Sequence, residues 1–409
     1  MTDPDRGSSD DDLGTQFRLD TLLESFSPSA PIDRRDVFAG RRDQLAALYT
    51  VMRQRGQHAV IYGERGVGKT SLAGIAADQA RQDSFFTAHV ICDSGDDFGS
   101  IWRKIFEEIS VLTDGQLGDA MPYVRDQEHI TPNEVRLVLR QLTQSAPVLI
   151  FIDEFDQIGS ADVKKLFADT IKILSDQAIR ATIVPVGVGD SVTDLIDEHA
   201  SIARALVQVE MPRLPLRERR EIIDKGLAAA GMGIAVRAAD RIASLSQGLP
   251  HYVHRLAQQA GLAAVQRESI KVDVEDVDFA IQIVVTDMHE SVAKDYHAAT
   301  YSTRPETLYE DVLLACACAT ADDRGYFPAA AVEAPLTTIK GREYKVPAFA
   351  RHLEAFRSDE RRRVLVREGS PKYYRLRFRD PLLQPYVTMR GLRAGKITDA
   401  DLRRFRRSG

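Results

Sequence analysis

The chain has 409 residues, of which 44% are hydrophobic and 28% charged; these are globular values, and the length exceeds one ordinary core, so two or three domains are expected. It contains no run of roughly 18 apolar residues and no signal-like apolar segment, which argues against a membrane-spanning or secreted protein and for a cytoplasmic one. The net charge of −6 is unevenly spread: from Arg351 onward 17 Lys and Arg face 7 Asp and Glu, a net of +10, leaving −16 for the first 350 residues.

Residues 1–30 are polar, acidic and rich in Ser and Pro, with Asp10, Asp11 and Asp12 in a row, and read as a disordered tail. A core is expected over 31–212, beginning at FAGRRDQLAALY (38–49), where Leu45, Leu48 and Tyr49 give a helical apolar stripe. HAVIY (58–62) then reads as a buried strand, GERGVGKT (63–70) as a phosphate-cradling loop of the form G-x-x-x-x-G-K-[ST], and SLAGIAADQA as a helix. The chemistry needs those residue types. Gly63, Gly66 and Gly68 let the backbone curl so that its N–H groups face phosphate oxygens, Lys69 reaches the β and γ phosphates, and the Thr70 hydroxyl suits Mg2+. The run from Gly63 through Glu64, Arg65, Gly66, Val67, Gly68, Lys69 and Thr70 to Ser71 is therefore assigned to ATP.

A strand is expected at TAHVICD (87–93), followed by a helix with Ile101, Trp102, Ile105 and Ile109 on one face, where Trp102 reads as core rather than ligand. Thr131, Pro132 and Glu134 have the pattern of a helix start with a capping box. VLIFIDEFD (148–156) supplies an apolar strand ending in Asp153, a Mg2+ ligand, and Glu154, placed to orient or deprotonate the attacking water. Leu166, Phe167, Ile171 and Leu174 mark the next helix and TIVPVGV (182–188) the next strand. Alternating strands and helices imply an α/β fold with a parallel sheet covered on both faces. Helices are expected near 216–230, 235–246, 250–266 and 273–292, forming a helical lid over 213–292.

Residues 293–409 read as a basic, winged-helix-like domain: a helix at 305–319, another from Val346 to Phe356, and strands at Arg363 to Glu368 and Tyr373 to Phe378. Its wing carries Arg361, Arg362, Arg363, Arg367, Lys372, Arg375, Arg377 and Arg379, interleaved with Tyr373 and Tyr374 and opposed by Glu368. Such a surface suits the backbone of duplex DNA, or docks onto an acidic protein surface. Cys92, Cys316 and Cys318 lack metal or redox spacing and read as core.

Taken in order, FAGR (38–41), the loop, the acidic pair, VGVGDS (186–191), SIAR (201–204) and GLPHYVHRLA (248–257) resemble AAA+ ATPases of the origin-recognition type and the related STAND ATPases, over roughly residues 35–285. The resemblance implies an AAA+ core, lid and winged helix that bind ATP or ADP and form a homo-oligomer. It puts Arg204 in the place of an arginine finger, Asp190 in the first-sensor slot, and His251 with Arg255 in the second. It also puts Pro250 against the nucleotide base and Arg41 at the nucleotide's N-terminal side. An acid at Asp190 and a histidine at His251 depart from the family pattern and imply slow hydrolysis. Two readings follow: a DNA-associated nucleotide switch, or a STAND-type signalling ATPase whose C-terminal domain contacts a separate effector protein. A metabolic P-loop kinase would leave the lid and winged helix unexplained.

Overall fold

In the computed structural model, residues 6–28, 40–112, 130–196, 202, 204–303, 307–370 and 373–407 are described. The chain divides into two units: Pro31–Pro212, and Met1–Ala30 together with Arg213–Gly409. The chain opens with helix α1 (Arg6–Ser25), which belongs to the second.

The first unit is built on five short strands: β1 (His58–Gly63), β2 (Phe86–Ile91), β3 (Val148–Asp153), β4 (Ala181–Val188) and β5 (Leu206–Glu210). All six residues of β3 are buried, as expected for a central strand covered on both sides. The sheet is parallel with order β2-β3-β4-β1-β5. Register places Ile91 opposite Asp153, and Gly63 opposite Val188, so the two strand ends that carry chemistry open on one edge.

Helices α2 (Arg42–Arg53), α3 (Lys69–Gln82), α4 (Phe98–Leu112), α5 (Pro132–Leu142) and α6 (Ala161–Asp176) connect them. Trp102, fully buried, stacks on Phe167 and sits beside Phe98 and Phe106 in the core, not in the site. The Thr131 capping box forms as expected: the Glu134 N–H donates to Thr131 Oγ1, and the Thr131 N–H donates to the Glu134 carboxylate at 2.7 Å. Strand β5 went unread in the sequence. Only Leu206 and Val209 of its residues are well buried, too short an alternation to separate from a loop.

The second unit corrects the expectation of a disordered N-terminal tail from Arg6 onward. Helix α1 packs against α7 (Leu216–Ala229) and α9 (Pro250–Gln266), burying Leu22 and Phe26 completely. Glycines in the receiving helices make the room. A Cβ on Gly226 would overlap the Phe26 ring, and one on Gly261 would come within 2.8 Å of Leu22. The Phe26 carbonyl accepts from Gln258 Nε2 at 2.8 Å.

The two-residue strand β6 (Gly233–Ile234) and α8 (Val236–Leu245) lie between α7 and α9, and the two-residue strand β7 (Lys271–Val272), which pairs with β6, follows α9. The helix expected over 273–292 is two: α10 (Val274–Thr286) and α11 (Glu290–Thr300), broken at Asp287 to His289. There follow α12 (Tyr309–Cys318), β8 (Phe327–Pro328), α13 (Glu333–Lys340), α14 (Val346–Ala355), β9 (Leu365–Gly369), β10 (Tyr374–Phe378), α15 (Leu383–Arg393) and α16 (Asp399–Arg407). Strands β8, β10 and β9 form an antiparallel sheet in that order.

Polar bonds join these segments to residues 213–252 of the same unit: Arg213 Nη1 donates to Gln384 Oε1 at 2.8 Å, Gln247 Nε2 to Thr388 Oγ1 at 2.9 Å, and Tyr252 Oη to the Leu382 carbonyl at 2.7 Å. All three cysteines are buried and none forms a disulfide. Burial pushes the Cys92 thiol up to about 12 and the Cys316 thiol higher still. Among the described residues, no helix is long and apolar enough to cross a membrane.

Candidate nucleotide site

The loop between β1 and α3 has the backbone that only glycine adopts without strain. Gly63, Gly66 and Gly68 have φ of 149°, 81° and 93°, and Gly68 caps α3. At Gly63 space is decisive as well: a Cβ there would lie 2.5 Å from the Met211 carbonyl oxygen. Lys69, at the first turn of α3, is 8% exposed and donates from Nζ to the carbonyls of Gly63 and Glu64, both at 3.0 Å. Burial pulls its ammonium down to about 8, against the opposing pull of Asp156, Asp153 and Glu64. Glu64 and Val67 are buried and Arg65 is exposed.

Asp153 ends β3 and is 3% exposed. Burial alone would raise its carboxyl, but the nearby His89, the Thr70 hydroxyl and the Glu154 N–H hold it below its usual value. Its Oδ1 accepts the Glu154 N–H at 2.8 Å, while Oδ2 lies 3.5 Å from His89 Nε2 and makes no hydrogen bond. The expected pair Thr70 and Asp153 is thus together beside Lys69. A hydroxyl and a buried carboxylate with an unsatisfied oxygen fit Mg2+, which completes its octahedron with water and phosphate oxygens and does not need an all-protein cage. Among the described residues, no group of three or more His, Cys, Asp or Glu could hold a metal ion.

Glu154 is exposed and sits in the left-handed region at φ 53°, a conformation that costs a non-glycine residue of order 1 kcal/mol and recurs at functional turns. The turn is held by a residue not singled out in the sequence. Asp156 Oδ1 accepts the Val188 N–H at 2.8 Å, tying the acidic turn to the end of β4. A Cβ on Gly187 would come within 2.7 Å of that oxygen, so the glycine is what lets the carboxylate approach. The signal was the third acid of the D-E-F-D run.

Asp194 organises the neighbouring turn in the same way: its Oδ2 accepts from the N–H of Asp190 at 2.8 Å and of Ser191 at 2.9 Å. Arg204 is exposed, and its guanidinium makes no hydrogen bond or ion pair among the described residues. Arg41 is buried, with Nη2 donating to the carbonyls of Val67 and Pro212.

The remaining expected residues lie in the other unit. Pro250 is the first residue of α9. The His251 ring nitrogen Nδ1 lies 2.5 Å from the Pro28 carbonyl, and burial draws the imidazole below its usual range. Arg255 faces Asp287, donating to its carbonyl at 3.4 Å.

The basic residues of the C-terminal segment are far less free than their sequence implied. Arg361 covers the Tyr309 ring at 3.4 Å and donates to the carbonyls of Ala298, Ala299 and Tyr301; Arg362 pairs with Asp295, Arg363 with Asp359, and Arg375 with Asp322 and Glu368. Arg367 and Arg377 lie over Tyr374 and Tyr326, and Arg379 reaches the Arg362 carbonyl at 3.4 Å. Lys372 lies outside the described residues.

Residues 37–179 match the family described as the AAA ATPase domain. That similarity covers about a third of the chain. A structure of the Aeropyrum pernix ORC2 protein, in ADPNP–ADP complexes, is 13% identical over 94% of this chain and 98% of that one, with a TM-score of 0.53. The Walker-type ATPase PABY2304 of Pyrococcus abyssi is 15% identical over 88% and 98%, with a TM-score of 0.50. Cdc6p from Pyrobaculum aerophilum gives 15% identity over 91% and 98%, at a TM-score of 0.46. A search of curated protein sequences finds no match. At these identities the likeness is one of fold.

Proposed function

We propose that this AAA ATPase domain binds ATP with Mg2+ and hydrolyses it slowly, as a nucleotide-dependent oligomerising switch that associates with DNA. The observation that carries the nucleotide reading is the meeting of three positive-φ glycines, Lys69, Thr70 and Asp153 at one strand edge. Backbone N–H groups of the curled loop and the N-terminus of α3 bind the phosphate chain, and Lys69 adds its charge at the β and γ phosphates. Thr70 and Asp153 would hold Mg2+, which when bound neutralises charge on the β and γ oxygens. Glu154 orients the attacking water or takes its proton.

Arg204, exposed, is the side chain this chain offers to the nucleotide of a neighbouring copy, and the acid at Asp190 disfavours charge build-up near the γ phosphate, which makes for slow turnover. Titration calorimetry tests the central assignment: Lys69→Ala should abolish ATP binding, and an affinity equal to wild type would remove it.

The order helix, strand, helix, helix, strand, strand from α12 to β10 supports reading this segment as a winged helix. Of the wing residues, Arg367 and Arg379 are exposed and make no carboxylate pair among the described residues, and we assign the DNA contact chiefly to them. The extensive pairing of Arg361, Arg362, Arg363 and Arg375 favours the second reading, a STAND-type switch whose C-terminal domain meets an effector protein.

A further inference from the structure

We infer that Arg41 is a positioning residue: it holds the phosphate loop in its anion-binding curl by anchoring the loop's outward-facing backbone. Resting as it does on the nucleotide reading above, the inference gives Arg41 a different task from the direct nucleotide contact expected in the sequence.

Arg41 is 3% exposed, and its backbone is left-handed at φ 59° immediately before α2. Both features are unfavourable for a surface arginine, since a buried guanidinium must recover its hydration and a left-handed non-glycine residue is strained. Part of the recovery comes from backbone carbonyls. The two hydrogens of Nη2 go to different acceptors, Val67 O at 3.0 Å and Pro212 O at 2.6 Å.

The first acceptor explains why an arginine belongs here. Val67 stands between Gly66 and Gly68, at φ 81° and 93°, in the middle of the loop. A loop that turns its N–H groups towards an anion turns carbonyls the other way, and a buried carbonyl without a donor costs about as much as a lost hydrogen bond. Val67 is itself fully buried, so water is a poor substitute. The second acceptor supplies the anchor. Met211, next to Pro212, donates its N–H to the Tyr62 carbonyl at 2.8 Å and presses its own carbonyl against Gly63. The start of the loop is therefore fixed to Met211 directly and the middle of the loop to Pro212 through Arg41.

A residue that shapes the loop affects every ligand through its phosphates, whereas one that touches the base or ribose affects only nucleotides. Affinities of the full chain for Mg·ATP and for inorganic tripolyphosphate separate the two, measured for wild type, Arg41→Met, Arg41→Lys and Lys69→Ala. The expected result is that Arg41→Met weakens both ligands by the same factor, on the order of 10- to 100-fold as for a lost charge-assisted hydrogen bond. Arg41→Lys, whose ammonium ends one bond short of Nη2, should lose less for both.

The unfolding midpoint read by the single tryptophan should stay close to wild type in the Lys variant, so that a loss of affinity there is local. A loss confined to ATP, with tripolyphosphate binding unchanged, would overturn the inference in favour of a direct base or ribose contact. Unchanged affinity for both ligands would overturn it outright. A failure of the nucleotide reading looks different: the wild-type chain would bind neither ligand, or Lys69→Ala would bind both as well as wild type.

Discussion

His58 shows how one residue can set the acid limit of the core unit. It is wholly buried on β1, its Nδ1 accepts the Ile183 N–H at 3.0 Å, and burial holds its imidazole down at about 3. The unfolded chain takes up a proton near 6.5, and the folded one refuses it until far lower pH. Stability is therefore full above about 6.5 and falls as pH drops below it, by roughly 1 kcal/mol per pH unit from this residue alone. Trp102 is the sole tryptophan and fully buried in the same unit, so its fluorescence in urea titrations at pH 7.5 and 5.5 reads this loss. His58→Asn, which keeps an acceptor in place of Nδ1, should remove most of the pH dependence; an undiminished shift would assign it to other groups.

Glu154 carries the second prediction at this scale. Glu154→Gln should leave Mg·ATP affinity within a factor of about 2 and lower turnover at least ~100-fold, within the usual range for a general base. Unchanged turnover would take the water-handling role away from Glu154. The loop and acidic pair were legible in the sequence because phosphate chemistry demands those residue types at fixed spacing. The role of Asp156 and the anchoring contacts of Arg41 were not, since each binds backbone groups remote in sequence, and no spacing rule encodes such a partner.

Among the elements, helix α1 departs most from its sequence. The run of acids at Asp10 to Asp12 outweighed a real signal, the stripe Leu19, Leu22 and Phe26 at helical spacing. Four of the five parallel strands and the α5 cap were readable because their cues are local. The docking of α1 depends instead on glycines more than two hundred residues away. Its anchor is testable: Phe26→Ala should destabilise the second unit by about 3 kcal/mol and abolish amide protection of residues 19–25 in hydrogen exchange. Gly226→Ala, which thrusts a methyl into the Phe26 ring, should expose α1 in the same experiment. Protection that survives both changes would mean that Phe26 is not what holds the helix.

Across the whole molecule, the charge asymmetry read from the sequence survives as composition but not as a free basic surface. A count of arginines cannot tell how many already have carboxylate or carbonyl partners. DNA association should therefore depend on few residues. Replacing Arg367 and Arg379 with Glu should weaken binding to a 20-base-pair duplex and flatten the slope of log K against log salt by about 2. Arg361→Ala should instead lower the thermal midpoint, because that guanidinium braces Tyr309 and three carbonyls. Wild-type protein whose retention on DNA is absent at 50 mM salt would leave a protein effector as the partner of this domain.

The three buried thiols have a practical consequence. With Cys92 and Cys316 pushed far above neutral pH by burial and Cys318 also enclosed, native thiolates are scarce at the pH of maleimide chemistry. Dye pairs can then be attached through one cysteine introduced on α6 and one on α14 without stripping the natural ones. The distance between the two units could be followed in single molecules as ATP is added, in a protein otherwise unaltered.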